Sequence, residues 1–162
     1  MTTPNETLFN DTLDLFDTEV RAELFEQYLM FVESAEKVSD RRASANAFFV
    51  SLNTLLVSVI GYFSSRSDET HTAVLMFSCS GMLISMLWYR IIFSYKQLNS
   101  AKFEIIQAIE KELPVQLFQQ EWQALTKTSD QRYRTLTQTE KFVPVVFGLL
   151  YFGWLAYHLF PQ

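Results

Sequence analysis

Few residues of this chain are equipped for catalysis. It contains two histidines and one cysteine. His71 shares a short polar stretch with Asp68 and Glu69, types that can ligate a metal. A metal or nucleophile site needs several ligands or a base held together, and no acid or cysteine constellation joins His71 to His158, which lies near the end of the chain. The expected role of 68–71 is a solvated polar turn. Cys79 sits within an apolar run, where a small packing role is expected. There is no glycine-rich phosphate loop, no metalloprotease histidine pair and no basic patch, and the net charge of -5 argues against a polyanionic partner. The sequence therefore predicts no enzyme, no metal, no cofactor and no nucleic acid.

The residues that stand out are polar ones in apolar surroundings. Ala47, Ser51, Thr54, Ser58 and Gly61 form a stripe of small residues at helical spacing, flanked by Asn46 and Asn53 one heptad apart. In hydrocarbon, small residues let helix backbones approach, and an asparagine seeks a hydrogen bond across to another helix. Two readings stand side by side. One is close helix packing; the other is that, after oligomerisation, Asn53, Thr54 and Ser58 face a central axis and line a polar path for ions or water. Ser78, Gly81 and Ser85 make a second, shorter stripe. Asp40, Arg41, Arg42, Arg90, Glu140 and Lys141 are expected near one depth at the membrane boundary. They can form a ring of ion pairs that holds the helices in register and acts as a gate, or they can snorkel individually to headgroups.

The elements that carry these residues are apolar helices. Segments 43–63, 72–93 and 142–160 each approach the ~20 residues a helix needs to cross ~30 Å of hydrocarbon. With 49% hydrophobic and 15% aromatic residues but only 4 Gly and 4 Pro, the composition describes long helices and few turns. The expected fold is an all-α integral membrane protein. The first 40 residues hold ten acids and two bases, unlike a signal peptide. Lys37, Arg41 and Arg42 precede the first span, Arg90, Lys96, Lys102 and Lys111 follow the second, and Lys127, Arg132, Arg134 and Lys141 lead into the third, whereas the loop 64–71 offers only Arg66. This bias predicts the amino terminus in the cytoplasm and the carboxyl terminus outside.

Segments 18–42 and 94–141 then lie on the cytoplasmic side as helical extensions of the spans, behind an acidic tail over 1–17. Asp17 and Thr18 can cap a first long helix, Glu19 suits its positive end, and Val20, Leu24, Tyr28, Phe31, Ala35 and Val38 recur at three-and-four spacing. A second helix runs from about Thr72 through Ile105 and Ile109 to the proline at 114, which disfavours helical geometry at Leu113. Val115, Phe118, Trp122 and Leu125 predict a short amphipathic helix, and a cap at Ser129 and Asp130 a third long helix entering the last span. Together the extensions predict a helical stalk. Three spans cannot easily satisfy two small-residue stripes internally, so self-association, as a closed ring, is the economical solution. The last span, with Tyr151, Trp154, Tyr157 and several Phe, is expected to face lipid.

Several strings resemble a known family. Ser39-Asp40-Arg41-Arg42, Asn46, Phe48-Phe49 and Asn53-Thr54 are similar to the entry into the first span of small bacterial inner-membrane proteins of the RipA type, described as octameric. Leu87-Trp88-Tyr89-Arg90, Leu98 through Phe103, Glu110, Leu113-Pro114, Glu121-Trp122, Glu140 and Pro144 continue the resemblance, which covers roughly residues 28–151. It implies an octameric envelope protein of the inner membrane without established catalysis, in contact with lipids and with itself. A long cytoplasmic helix feeding a few spans is more loosely similar to SLATT-type membrane effectors, which implies a pore-type effector taking a cytoplasmic protein or small ligand as regulator. The alternative is a non-conducting scaffold supporting envelope homeostasis.

Overall fold

A computed structural model describes residues 8–9, 17–65, 71–127 and 136–159, with side chains left out at 125–127 and 136–139. Four helices account for nearly all of these residues: α1 Thr18–Ser64, α2 His71–Glu110, α3 Leu117–Lys127 and α4 Leu136–Leu159. No strand occurs among the described residues. α1, α2 and the Glu140–Leu159 part of α4 are long and apolar enough to cross a membrane. Apart from Leu8 and Phe9, the segment before Asp17, residues 66–70, the expected cap residues Ser129 and Asp130 and residues 160–162 lie outside the described residues.

The chain divides into two units, with the boundaries falling after Asp40 inside α1 and after Lys96 inside α2. The first holds the beginning of α1, the end of α2 and α3, and its surface mixes charged residues with exposed Phe25, Leu29 and Met30. Asp17 starts α1 by accepting the Glu19 N–H on Oδ1 at 3.0 Å, satisfying a donor that the first turn leaves without an intrahelical partner. Tyr28, Ala35, Ile106 and Ile109 then meet in a small core, with Leu24, Phe31, Phe103 and Phe118 packed against it. Lys102 reaches across to Ser34 Oγ at 2.7 Å and lies over the Phe31 ring, so its stem covers the core edge while its charge stays bonded.

α2 stops where Pro114 forbids continuation. The chain tightens through Glu112 N–H to Ile109 O at 3.0 Å and Leu113 N–H to Glu110 O at 3.2 Å before α3 begins. The residue ahead of α3 is Gln116, a poor cap, and the missing acceptor comes from Glu110. Its carboxylate, fully buried, accepts the Phe118 N–H at 3.1 Å and the Gln119 N–H at 3.3 Å. A negative group at the positive end of a short helix favours that helix twice, by bonding and by the macrodipole. The same carboxylate accepts the Tyr28 hydroxyl at 3.0 Å, which pins α1 to the α2–α3 corner. Burial first, then the hydrogen bond to Glu110 and its negative charge, push the Tyr28 phenol up to about 12.

The second unit contains the remainder of α1 and α2 with α4 and is apolar outside as well as inside. Phe49 stacks on Trp88 at 5.7 Å, beside Ile92 and Phe147. Further along, Ile60, Val74 and Tyr151 pack with Leu56, Phe77 and Trp154. Large exposed residues such as Leu55, Met76, Leu83, Leu149 and Phe152 cover the outside. That distribution would be untenable in water and is the ordinary surface of a helix bundle in acyl chains.

Candidate functional site

The polar residues of the α1 span separate onto two faces, because neighbouring positions on a helix point about 100° apart. Asn46 and Asn53 turn inward, while Ala47, Ser51, Thr54, Ser58 and Gly61 are exposed along the outside of the unit. The asparagines therefore do not share a surface with the small-residue stripe.

Asn53 is fully buried and holds the three helices together. Its amide nitrogen donates to Phe49 O in its own helix at 2.8 Å. Its Oδ1 accepts the Tyr151 hydroxyl from α4 at 2.9 Å and the Ser85 hydroxyl from α2 at 3.3 Å, and Tyr151 also lies 3.2 Å from the Asn53 carbonyl. One heptad earlier, the Trp88 indole N–H donates to Asn46 Oδ1 at 2.9 Å. Inter-helix bonds of this kind in hydrocarbon are worth roughly 0.6 to 2 kcal/mol each.

The second stripe is likewise occupied from within the chain. Ser78, Gly81 and Ser85 are buried, and the Tyr151 ring lies so close to Gly81 that a Cβ there would come within 2.5 Å of it. Ser78 Oγ is buried without a hydrogen-bond partner among the described residues. α4, expected to face lipid, sends Tyr151 into this stripe, so the chain fills one of its two small-residue stripes from within while that of α1 stays exposed. The legible signal was a phenol near the middle of an apolar helix, away from any headgroup, where its hydroxyl needs a partner.

On the exposed stripe, each hydroxyl turns back to its own helix. Ser51 donates to Ala47 O at 3.0 Å, Thr54 to Val50 O at 2.8 Å and Ser58 to Thr54 O at 2.9 Å. Gly61 has open space where a Cβ would stand.

Of the charged belt, the structure brings together Arg42 and Glu140, with Nε 3.7 Å from Oε2 and both side chains largely buried. Lys141 lies over the Phe93 ring at 4.9 Å and the Tyr89 ring at 5.9 Å, which fixes α4 on α2 through cation–π contact in place of an ion pair. Arg41 and Arg90 are exposed, and Asp40 falls in the other unit. Within one chain the belt thus contributes the Arg42–Glu140 pair and the contacts of Lys141 with Phe93 and Tyr89. Sequence reasoning named the buried Glu110 only within the family resemblance and gave it no role, although its place just ahead of a proline break marked it as a capping group.

No group of three or more His, Cys, Asp or Glu side chains converges among the described residues. What the membrane unit offers is a bundle braced by its own polar groups and an outer face of small residues. Residues 25–160 match the octameric membrane protein family, 8xMP. The chain belongs to this family. The match covers the three spans and the part of the first unit from residue 25 onward. Self-association comes with that membership. Neither the curated proteins nor the solved structures provide a match to this sequence.

Proposed function

We propose that this member of the octameric family assembles eight copies into a closed ring in the bacterial inner membrane and acts as a channel of the pore-forming effector class. In this reading the exposed α1 stripe faces the axis, with Ser51, Thr54 and Ser58 as the polar lining. The single observation that carries it is the exposure of the whole stripe after the chain has buried its asparagines and its second stripe. Acyl chains gain little from small hydroxyl residues, whereas a ring places one face of each subunit away from lipid. The polar unit lies on the cytoplasmic side, as the placement of Lys and Arg indicates, and receives a regulatory protein or small ligand. No catalytic step belongs to this reading.

A second reading has an observation of its own. The stripe hydroxyls already bond to their own backbone, which leaves a quiet surface suited to subunit packing in a non-conducting scaffold for envelope homeostasis. Purified protein in liposomes separates the two. The channel reading expects ion flux that falls when Thr54 or Ser58 is replaced by Leu, with assembly size unchanged by mass photometry. Intact rings that pass no ions under any applied potential or trigger reject it and favour the scaffold.

A further inference from the structure

His71 opens α2 and His158 lies in the last turn of α4, and within the membrane unit these two ends meet. The two Nδ1 atoms are 3.0 Å apart, with ring centroids at 4.9 Å and planes at 85°. An imidazole Nδ1 has one in-plane position, filled by either a proton or a lone pair. Two of them facing each other at this distance can share a single proton, or they can share a cation.

We propose that His71 and His158 form a two-imidazole site for a borderline-soft divalent cation, with zinc as the representative ion. Tetrahedral zinc with bonds of about 2.0–2.1 Å sets its nitrogens roughly 3.4 Å apart, so the rings must part by a few tenths of an ångström and turn until both lone pairs meet the ion. Near-perpendicular ring planes suit ligands that approach one ion from different tetrahedral directions. Imidazole selects zinc, copper and nickel over magnesium and calcium, which prefer oxygen. His71 is exposed and His158 half-buried, leaving room for water in the remaining positions. The Tyr157 ring lies edge-on to His158 at 5.4 Å. Bound there, the ion ties the start of α2 to the end of α4, at the opposite end of α4 from the Arg42–Glu140 pair.

The test uses the full chain in lipid nanodiscs, stripped with chelator and titrated with zinc chloride, with thermal unfolding read by tryptophan fluorescence. A saturable rise in unfolding temperature is expected with zinc and none with magnesium. His71→Gln and His158→Ala should each weaken the apparent zinc affinity at least tenfold. Copper(II) gives a readout independent of stability: electron paramagnetic resonance should show coupling to two imidazole nitrogens in the unaltered chain and to at most one in either variant. A wild type without saturable zinc dependence, or zinc binding undiminished in both variants, overturns the proposal. Equal destabilisation of both variants with no cation effect also overturns it, since the pair is then a hydrogen bond alone.

Discussion

Replacing Gly81 by alanine adds one methyl group at the tightest point of the membrane unit. The new Cβ would stand 2.5 to 2.7 Å from three atoms of the Tyr151 ring. Carbon atoms rest about 3.5–4.0 Å apart, so the ring must retreat by roughly 1 Å. A flexible side chain would yield at little cost. Tyr151 is fully buried, however, and its hydroxyl is held by Asn53 at 2.9 Å, so the ring cannot withdraw without stretching that bond. Overpacking costs about 1–3 kcal/mol. A weakened inter-helix bond in hydrocarbon adds roughly 0.6–1.7 kcal/mol. Gly81→Ala should therefore destabilise the chain by about 2–5 kcal/mol, the sum of overpacking and hydrogen-bond loss. Reversible unfolding in bicelles, titrated with dodecyl sulfate, measures this. In a Tyr151→Leu background the same substitution should cost under about 1 kcal/mol, because the clashing ring is gone. An effect within about 0.5 kcal/mol of zero, or an equal cost in both backgrounds, would refute the argument.

Three other perturbations address separate contacts. Asn53→Leu removes the acceptor shared by Ser85 and Tyr151 and should lower unfolding stability in bicelles by about 1–3 kcal/mol, more than Thr54→Leu on the exposed face. The Tyr28 phenol is raised from 10.0 to about 12 in the folded chain. Its contribution is thus complete below pH 10 and declines as the pH rises through that interval, since the unfolded state releases the proton first; unfolding temperature should fall between pH 10 and 12 and do so less steeply in Tyr28→Phe. Arg42→Glu sets a second negative charge against the largely buried Glu140 and should reduce stability and assembly size, whereas the exposed Arg90 tolerates reversal with little change on size-exclusion chromatography.

Hydropathy and length made the three spans legible, because a stretch of apolar residues long enough for the bilayer leaves the backbone no option but a helix. The break after Glu110 was legible in Pro114. The site was harder to read. Asn53 announced a need for a hydrogen-bond partner but not which one, since three-and-four periodicity fixes the spacing along a helix and leaves its rotation about the axis open. Small residues looked alike on α1 and α2, yet Gly81 receives a ring of the same chain and Gly61 faces outward. Tyr151 was read with the other aromatics of its helix as a lipid-facing residue. His71 and His158 stood apart because nothing local predicts that the start of one helix meets the end of another. For the charged belt, depth can be inferred from position along the chain, but azimuth cannot.

Asn46 and Asn53 find their partners without help from any sibling, through Trp88, Ser85 and Tyr151. A newly inserted copy can therefore persist alone in the bilayer, with no amide stranded among lipid tails, until others accumulate. Insertion and self-association become two separable events, the first complete in each polypeptide and the second dependent on concentration.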